Sequence, residues 1–63
     1  MTREWGAPYV THPYLTPDGP VWMYRKGQRV RYFDEDGVQI GPEHANVAPA
    51  VAYAHAQGWR WRW

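Results

Sequence analysis

The sequence predicts a small α+β domain: an antiparallel β-meander of about three strands, one C-terminal helix packed on one face, and an extended, proline-rich N-terminal arm. Three observations predict this class. Four of the six prolines lie in residues 1–20, where proline removes backbone donors and disfavours helix. Turn motifs that end in glycine recur at intervals of eight and ten residues, as in a meander. An alanine-rich stretch with helix-capping signals follows at residues 46–57.

The arm, residues 1–20, is expected to be extended, with at most short edge strands around Tyr9-Val10-Thr11. It carries the aromatic residues Trp5, Tyr9 and Tyr14. Because aromatic residues are depleted in disordered segments, we expect the arm to lie against the body of the domain.

The meander is predicted to occupy residues 21–40. Three motifs read as a type I turn followed by a glycine in the left-handed conformation. They are Thr16-Pro17-Asp18-Gly19, Tyr24-Arg25-Lys26-Gly27 and Asp34-Glu35-Asp36-Gly37. This spacing predicts strands at Val21–Arg25, Gln28–Phe33 and Val38–Ile40.

Side chains alternate between the two faces of a strand, so the turns assign each residue to a face. The predicted turns place Tyr24 opposite Gln28 and Asp34 opposite Val38. One face is then apolar and should meet the helix; its members are Trp22, Tyr24, Val30, Tyr32, Val38 and Ile40. The other mixes arginine with apolar residues and is either solvent-facing or covered by the arm. Its members are Val21, Met23, Arg25, Arg29, Arg31, Phe33 and Gln39.

The helix is bounded by clear signals. Asn46 is a favourable N-cap and Pro49 falls in the first turn, where its missing N–H is not needed. Gly58 is typical of the residue that follows a helix. The residues predicted to pack on the sheet are Val47, Val51, Ala54 and Gly58.

Composition limits both the core and the chemistry. Sixty-three residues make one domain at most, and a chain of this size buries only about 60% of its unfolded surface. Cysteine is absent, and leucine and isoleucine occur once each, so the core must consist of aromatic rings and valines. Serine is absent too, which leaves only threonines in the arm as hydroxyl nucleophiles. We therefore expect no enzyme, no cofactor and no small-molecule substrate.

Metal binding is also not expected. No pair among His12, His44 and His55 has the helical spacing of metal ligands, and no cysteine completes a site. His44 and His55 are interpreted as partly exposed polar residues. The segment Asp34–Gly37 resembles the start of a calcium loop, but its glycine comes too early and its twelfth position is Ala45. A hairpin turn accounts for every residue of the segment Asp34–Gly37.

Half of the chain resembles a group of small, uncharacterised proteins encoded by actinobacterial phages. The residues that carry the resemblance are Val30–Asp34, Asp36-Gly37, Gly41-Pro42-Glu43-His44, Asn46–Ala54 and Gly58-Trp59. The resemblance implies a phage accessory protein acting in the cytoplasm of an actinobacterial host. It implies no reaction, no ligand and no functional residue.

Residues 59–63 form a tail in which tryptophan and arginine alternate. One interpretation is a further edge strand with Trp59 and Trp61 partly in the core. The other is a binding element, because tryptophan and arginine are enriched in interface hot spots. We predict that Trp59 closes the helix against the sheet and that Trp61 and Trp63 mainly bind.

The prediction for function is a non-catalytic protein-binding module whose partner is a host protein or a second copy. The predicted binding residues are Trp61, Trp63, Arg60, Arg62, Met23, Arg29, Arg31 and Phe33. One alternative is single-stranded nucleic-acid binding through the arginines and neighbouring rings. Another is a small, self-assembling virion component. A net charge of +1 counts against nucleic acid, and no apolar run predicts a membrane segment, so a cytoplasmic location is expected.

Overall fold

The structure is a computed structural model that describes residues 5, 8–10 and 12–61. Within these residues, all strand pairs are antiparallel and form one sheet in the order β4-β3-β2-β1-β5. The elements are β1 Tyr14–Thr16, β2 Gly19–Lys26, β3 Arg29–Asp34, β4 Gln39–His44, α1 Val47–Ala56 and β5 Arg60–Trp61. The predicted α+β class is confirmed, but the sheet has five strands where about three were predicted.

The first additional strand, β1, lies inside the segment predicted as an arm. It pairs with β2 across a two-residue turn, with Thr16 opposite Gly19. The Thr16 hydroxyl stabilises this turn, because it accepts the backbone N–H of Asp18 at 3.1 Å and donates to the carbonyl of Gly19 at 2.8 Å. Strand β1 therefore follows the segment Tyr9-Val10-Thr11, where an edge strand was predicted. Thr11 lies outside the described residues.

The turn between β2 and β3 is shorter than predicted. Lys26 pairs with Arg29, which leaves only Gly27 and Gln28 in the loop. Of these two residues only Gly27 has a positive φ, 62°, as in a type II′ turn. The prediction that Tyr24 lies opposite Gln28 was therefore wrong.

Tyr24 lies opposite Arg31, three residues from its predicted partner. This change of register reverses β2, because a slip by an odd number of residues moves every side chain to the other face. Val21 and Met23 are buried against the helix, whereas Trp22 and Tyr24 point to the opposite side with Phe33. The predicted faces were correct for β3 and wrong for β2.

The turn between β3 and β4 is the predicted one. Gly37, at φ 81°, donates its N–H to the Asp34 carbonyl at 3.1 Å, and the Asp34 N–H donates to the Val38 carbonyl at 3.0 Å. The Asp34 carboxylate also accepts the N–H groups of Asp36 and Val38, both at 2.9 Å. Val38 itself is 57% exposed, so it is not part of the apolar face.

Helix α1 begins and ends where the capping signals indicate. The Asn46 side chain accepts the Ala48 N–H at 3.0 Å, and Gly58 follows with φ 77°. Ala50 and Ala54 are fully buried against the sheet, flanked by the partly buried Val47 and Val51. The predicted helix face missed Ala50 and wrongly included Gly58, which is exposed.

The main core lies between the sheet and α1 and is built from rings, valines and alanines. Its buried members are Tyr14, Val21, Met23, Val30, Tyr32, Ala50 and Ala54. A second, smaller cluster lies on the other face of the sheet; it comprises Trp5, Tyr24 and Phe33, with Trp22 beside it.

Candidate functional site

The face of the sheet opposite α1, called the open face below, carries the features that bear on function. Strand alternation and the observed register place residues from all five strands on it. They are Leu15, Pro20, Trp22, Tyr24, Lys26, Arg29, Arg31, Phe33, Gln39 and Arg60. The predicted common face for Arg29, Arg31 and Phe33 is therefore correct.

Part of the open face is covered by Trp5 from the arm. Its ring lies 6.2 Å from that of Phe33, and the guanidinium carbon of Arg31 lies 4.8 Å from the Trp5 ring centre. Arg31 also forms a salt bridge with Glu43 at 2.6 Å. The sequence left open whether this face is solvent-facing or covered by the arm. Around Phe33 and Arg31 it is covered, by Trp5.

Two predicted binding residues are buried and are not available to a partner. Met23 is 2% exposed because the register of β2 turns it toward the helix. Phe33 is 5% exposed because Trp5 and Tyr24 pack against it, the Tyr24 ring at 5.1 Å. Both residues belong to the core clusters.

The uncovered part of the open face carries an apolar strip formed by Leu15, Pro20 and Trp22. Leu15 is 39% exposed, and Pro20 and Trp22 are half-buried. Leu15 is paired directly with Pro20. Sequence reasoning missed this strip, because the predicted register placed Trp22 under the helix.

Beside the apolar strip lies a shallow cleft of about 270 Å³. It is lined by Pro8, Trp22, Tyr24, Asp34 and Glu35. Two aromatic and two acidic residues line this cleft, so apolar and polar residues meet at the edge of the strip.

The tail is an edge strand as far as Trp61. Arg60 pairs with Leu15 and therefore extends the open face, whereas Trp61 pairs with Tyr14 and lies on the helix side. Trp61 is 38% exposed; its ring lies 5.1 Å from that of Tyr14, and its N–H donates to the His12 carbonyl at 3.1 Å. Trp61 thus has structural contacts where mainly binding was predicted. Arg62 and Trp63 lie outside the described residues.

Trp59 has the structural position predicted for it. Its ring packs 5.1 Å from Tyr32 and 5.7 Å from Tyr53, both edge-on, and 6.2 Å from Tyr14. It thereby closes the end of α1 against the sheet.

His44 is a buried residue, not the partly exposed one predicted. Its ring lies between Tyr53, at 5.0 Å, and Tyr32, at 5.7 Å, and its Nε2 has no hydrogen-bond partner among the described residues. Burial lowers the pKa of His44, because the imidazolium would lose its hydration. His55 is exposed in the last turn of α1. No group of three or more potential metal ligands occurs in the part of the chain that the structure describes.

Comparison of the chain with known protein families, with curated proteins and with solved structures finds no significant match in any of the three. Over the described ranges, no helix is long and apolar enough to cross a bilayer.

Proposed function

We propose that this protein is a non-catalytic binding module that engages another protein through the uncovered part of its open face. The observation that carries the proposal is the apolar strip of Leu15, Pro20 and Trp22 on a sheet face that the arm covers only in part. Contiguous apolar groups left exposed at a rigid surface are typical of protein-interaction sites.

The surroundings of the apolar strip support this proposal. Arg60 lies beside Leu15 on one side, and the carboxylates of Asp34 and Glu35 lie beside Trp22 on the other. A protein interface commonly has an apolar centre and a polar rim. Trp22 is the proposed anchor, since tryptophan is enriched among residues that dominate binding energy.

The proposed partner is a host protein in an actinobacterial cytoplasm. The resemblance to actinobacterial phage proteins supports this source and location. The predicted binding roles of Arg62 and Trp63, which lie outside the described residues, remain part of the proposal.

The experiment compares two exposed aliphatic residues on different surfaces. The wild-type chain is used to isolate a partner from host lysate, and the purified partner is then titrated calorimetrically. Leu15→Glu should weaken binding by about 10-fold or more, as expected for a charge placed in an interface centre. Val38→Glu, at a residue that is more exposed and lies in the β3–β4 turn, should leave affinity nearly unchanged. Equal affinities for both variants would overturn the proposal.

Single-stranded nucleic-acid binding is the second candidate, and one observation favours it. Arg29, with its side chain 73% exposed, and Arg60 lie on the same face as the half-buried Trp22. Aromatic rings stack on bases while arginines contact phosphates. Affinity for an oligonucleotide that falls steeply with salt, through counterion release, and that falls further in Arg60→Gln would favour this candidate over protein binding.

A further inference from the structure

The charged side chains of this protein are segregated to two opposite ends. The β2–β3 turn carries Arg25, Lys26 and Arg29, all exposed, and is called the basic end. Arg25 and Asn46, the N-cap of α1, line the same surface depression. The positive end of the helix dipole therefore adds to this charge.

The other end is acidic. Asp18 lies in the β1–β2 turn, and the β3–β4 turn carries the remaining carboxylates at this end; these are Asp34, Glu35 and Asp36. Asp18 and Asp34 line one cleft of about 350 Å³, called the acidic cleft, together with Tyr53, Gln57 and Trp59. Gln57 caps the C-terminus of α1, so the negative end of the helix dipole lies here.

The two ends are separated by the full length of the molecule. Strand β2 runs from one to the other over eight residues, which at ~3.3 Å per residue spans roughly 25 Å. The largest dimension of the molecule is 26 Å. A basic end and an acidic cleft on opposite sides are geometrically suited to contact two neighbouring molecules at once.

Of the charges at the two ends, that of Arg29 is paired in a salt bridge with Glu43, whereas Arg25, Lys26 and the acidic end form no salt bridge within the described part of the chain. Glu43 is the carboxylate that forms salt bridges, with Arg29 and Arg31. None of the four carboxylates at the acidic end forms a salt bridge with a described lysine or arginine. Among the described residues, the Asp34 carboxylate accepts the backbone N–H groups of Asp36 and Val38 and contacts no cationic side chain.

We propose that the basic end of one copy inserts into the acidic cleft of the next, so that copies of this chain associate head to tail. The ammonium group of Lys26 lies between the carboxylates of Asp18 and Asp34. Its aliphatic stem packs against the rings of Tyr53 and Trp59, which also attract a cation through their faces. The contact is heterologous, so it produces an open series of copies unless the rotation between them closes a ring.

A second copy fits this cleft because the same chain carries both complementary surfaces. Each molecule offers one basic end and one acidic cleft, so every copy in the series uses both. The net charge of +1 per chain keeps repulsion between copies small. The contact uses Lys26 of the open face and Asp34, but not the apolar strip of Leu15, Pro20 and Trp22, so substitutions in the strip separate it from the binding function proposed above.

The first test is sedimentation velocity of the full chain over a range of protein concentrations. In dilute salt, the sedimentation coefficient of the wild type should rise with concentration. In about 0.5 M salt, where exposed charges are largely screened, the rise should disappear. A coefficient that does not change with concentration in dilute salt would overturn the proposal. So would a chain that stays monomeric while its acidic cleft binds a lysine-rich peptide.

Charge reversal provides the second test. Lys26→Glu and Asp18→Lys should each abolish the concentration dependence, and an equimolar mixture of the two should restore it, because one keeps its cleft and the other its basic end. Arg60→Glu makes the same charge change as Lys26→Glu but lies on β5, away from the basic end, so it should not abolish association. Association that survives Lys26→Glu, or that Arg60→Glu removes equally, would contradict the assignment. Leu15→Glu should leave association unchanged, which separates this proposal from the open-face one.

Discussion

The hydroxyl of Tyr32 donates a 2.6 Å hydrogen bond to the carbonyl oxygen of Ala50, and this bond joins the centre of the sheet to the buried face of α1. Both residues are fully buried. Burial, and to a lesser degree the neighbouring Tyr14, raises the pKa of Tyr32, so its hydroxyl stays protonated and remains a donor. Since α1 presents mainly alanine to the sheet, this bond and the surrounding rings hold the helix in place.

Removal of the Tyr32 hydroxyl should therefore destabilise the fold by a measurable amount. We expect Tyr32→Phe to lower the free energy of unfolding by about 1 kcal/mol, the usual net value of a hydrogen bond. Tyr32→Ala should cost about 3–5 kcal/mol, because a buried ring is lost as well. Tyr24→Phe is the control, since the Tyr24 hydroxyl has no hydrogen bond within the described residues. Chemical denaturation gives the values; equal stability of Tyr32→Phe and wild type would contradict the structural role of this bond.

Gly41 is predicted to be intolerant of a side chain for two separate reasons. Its φ is 77°, and a Cβ there would lie 2.7 Å from the Tyr53 hydroxyl oxygen. Gly27 has a similar φ of 62° but open space around it. Gly27→Ala should thus cost only the strain of the left-handed conformation, about 1–2 kcal/mol, and Gly41→Ala should cost more.

A double-mutant cycle separates the collision from the strain. In a Tyr53→Ala background, the cost of Gly41→Ala should fall to that of Gly27→Ala. If it stays the same in both backgrounds, the ring of Tyr53 does not limit the space at Gly41.

The buried ring of His44 should make stability depend on pH. Because burial lowers its pKa, the unfolded chain takes up a proton more readily than the folded one as the pH falls. The contribution is fully present above pH ~6.5, the ordinary pKa of histidine, and is lost progressively below it. Unfolding free energies measured from pH 8 down to pH 5 should therefore fall more in the wild type than in His44→Phe. Parallel profiles would show that the pH dependence does not arise at His44.

The correct sequence predictions were those that depend on local signals. The Asp34–Gly37 turn and the ends of α1 follow from a few adjacent residues, whose side chains bond to their own backbone. The register of β2 depended on a loop that can hold two or three residues around Gly27. The length of this loop determines whether Trp22 or Met23 faces the helix.

The candidate site was only partly predictable for the same reason. Arg29 and Arg31 were placed on the correct face, because the register of β3 was fixed by the following turn. The burial of Phe33 depends on Trp5, a contact between residues 28 positions apart, which periodicity does not reveal. His44 is paired with Val30 across an irregularity in the β3–β4 register, and strand periodicity does not reveal such an irregularity.

The last prediction separates the two tryptophans of the tail that the structure describes. Trp59 packs on three rings of the core, so Trp59→Ala should cost about 3–5 kcal/mol, as for other large core truncations. Trp61 lies at the sheet edge, 38% exposed, where its contacts include the Tyr14 ring and a hydrogen bond to the His12 carbonyl. We expect Trp61→Ala to cost about 1–2 kcal/mol, less than a core ring.

A chain that ends at Trp59 would lack both pairs of β5 with β1, and the Tyr14 ring would lose its contact with Trp61. Its melting point should therefore fall below that of Trp61→Ala, rather than stay close to the wild type as the sequence alone suggested. Thermal melts of the three variants give the order directly. A truncated chain that melts like the wild type would mean that β5 adds nothing to the fold, and the tail would then serve binding alone.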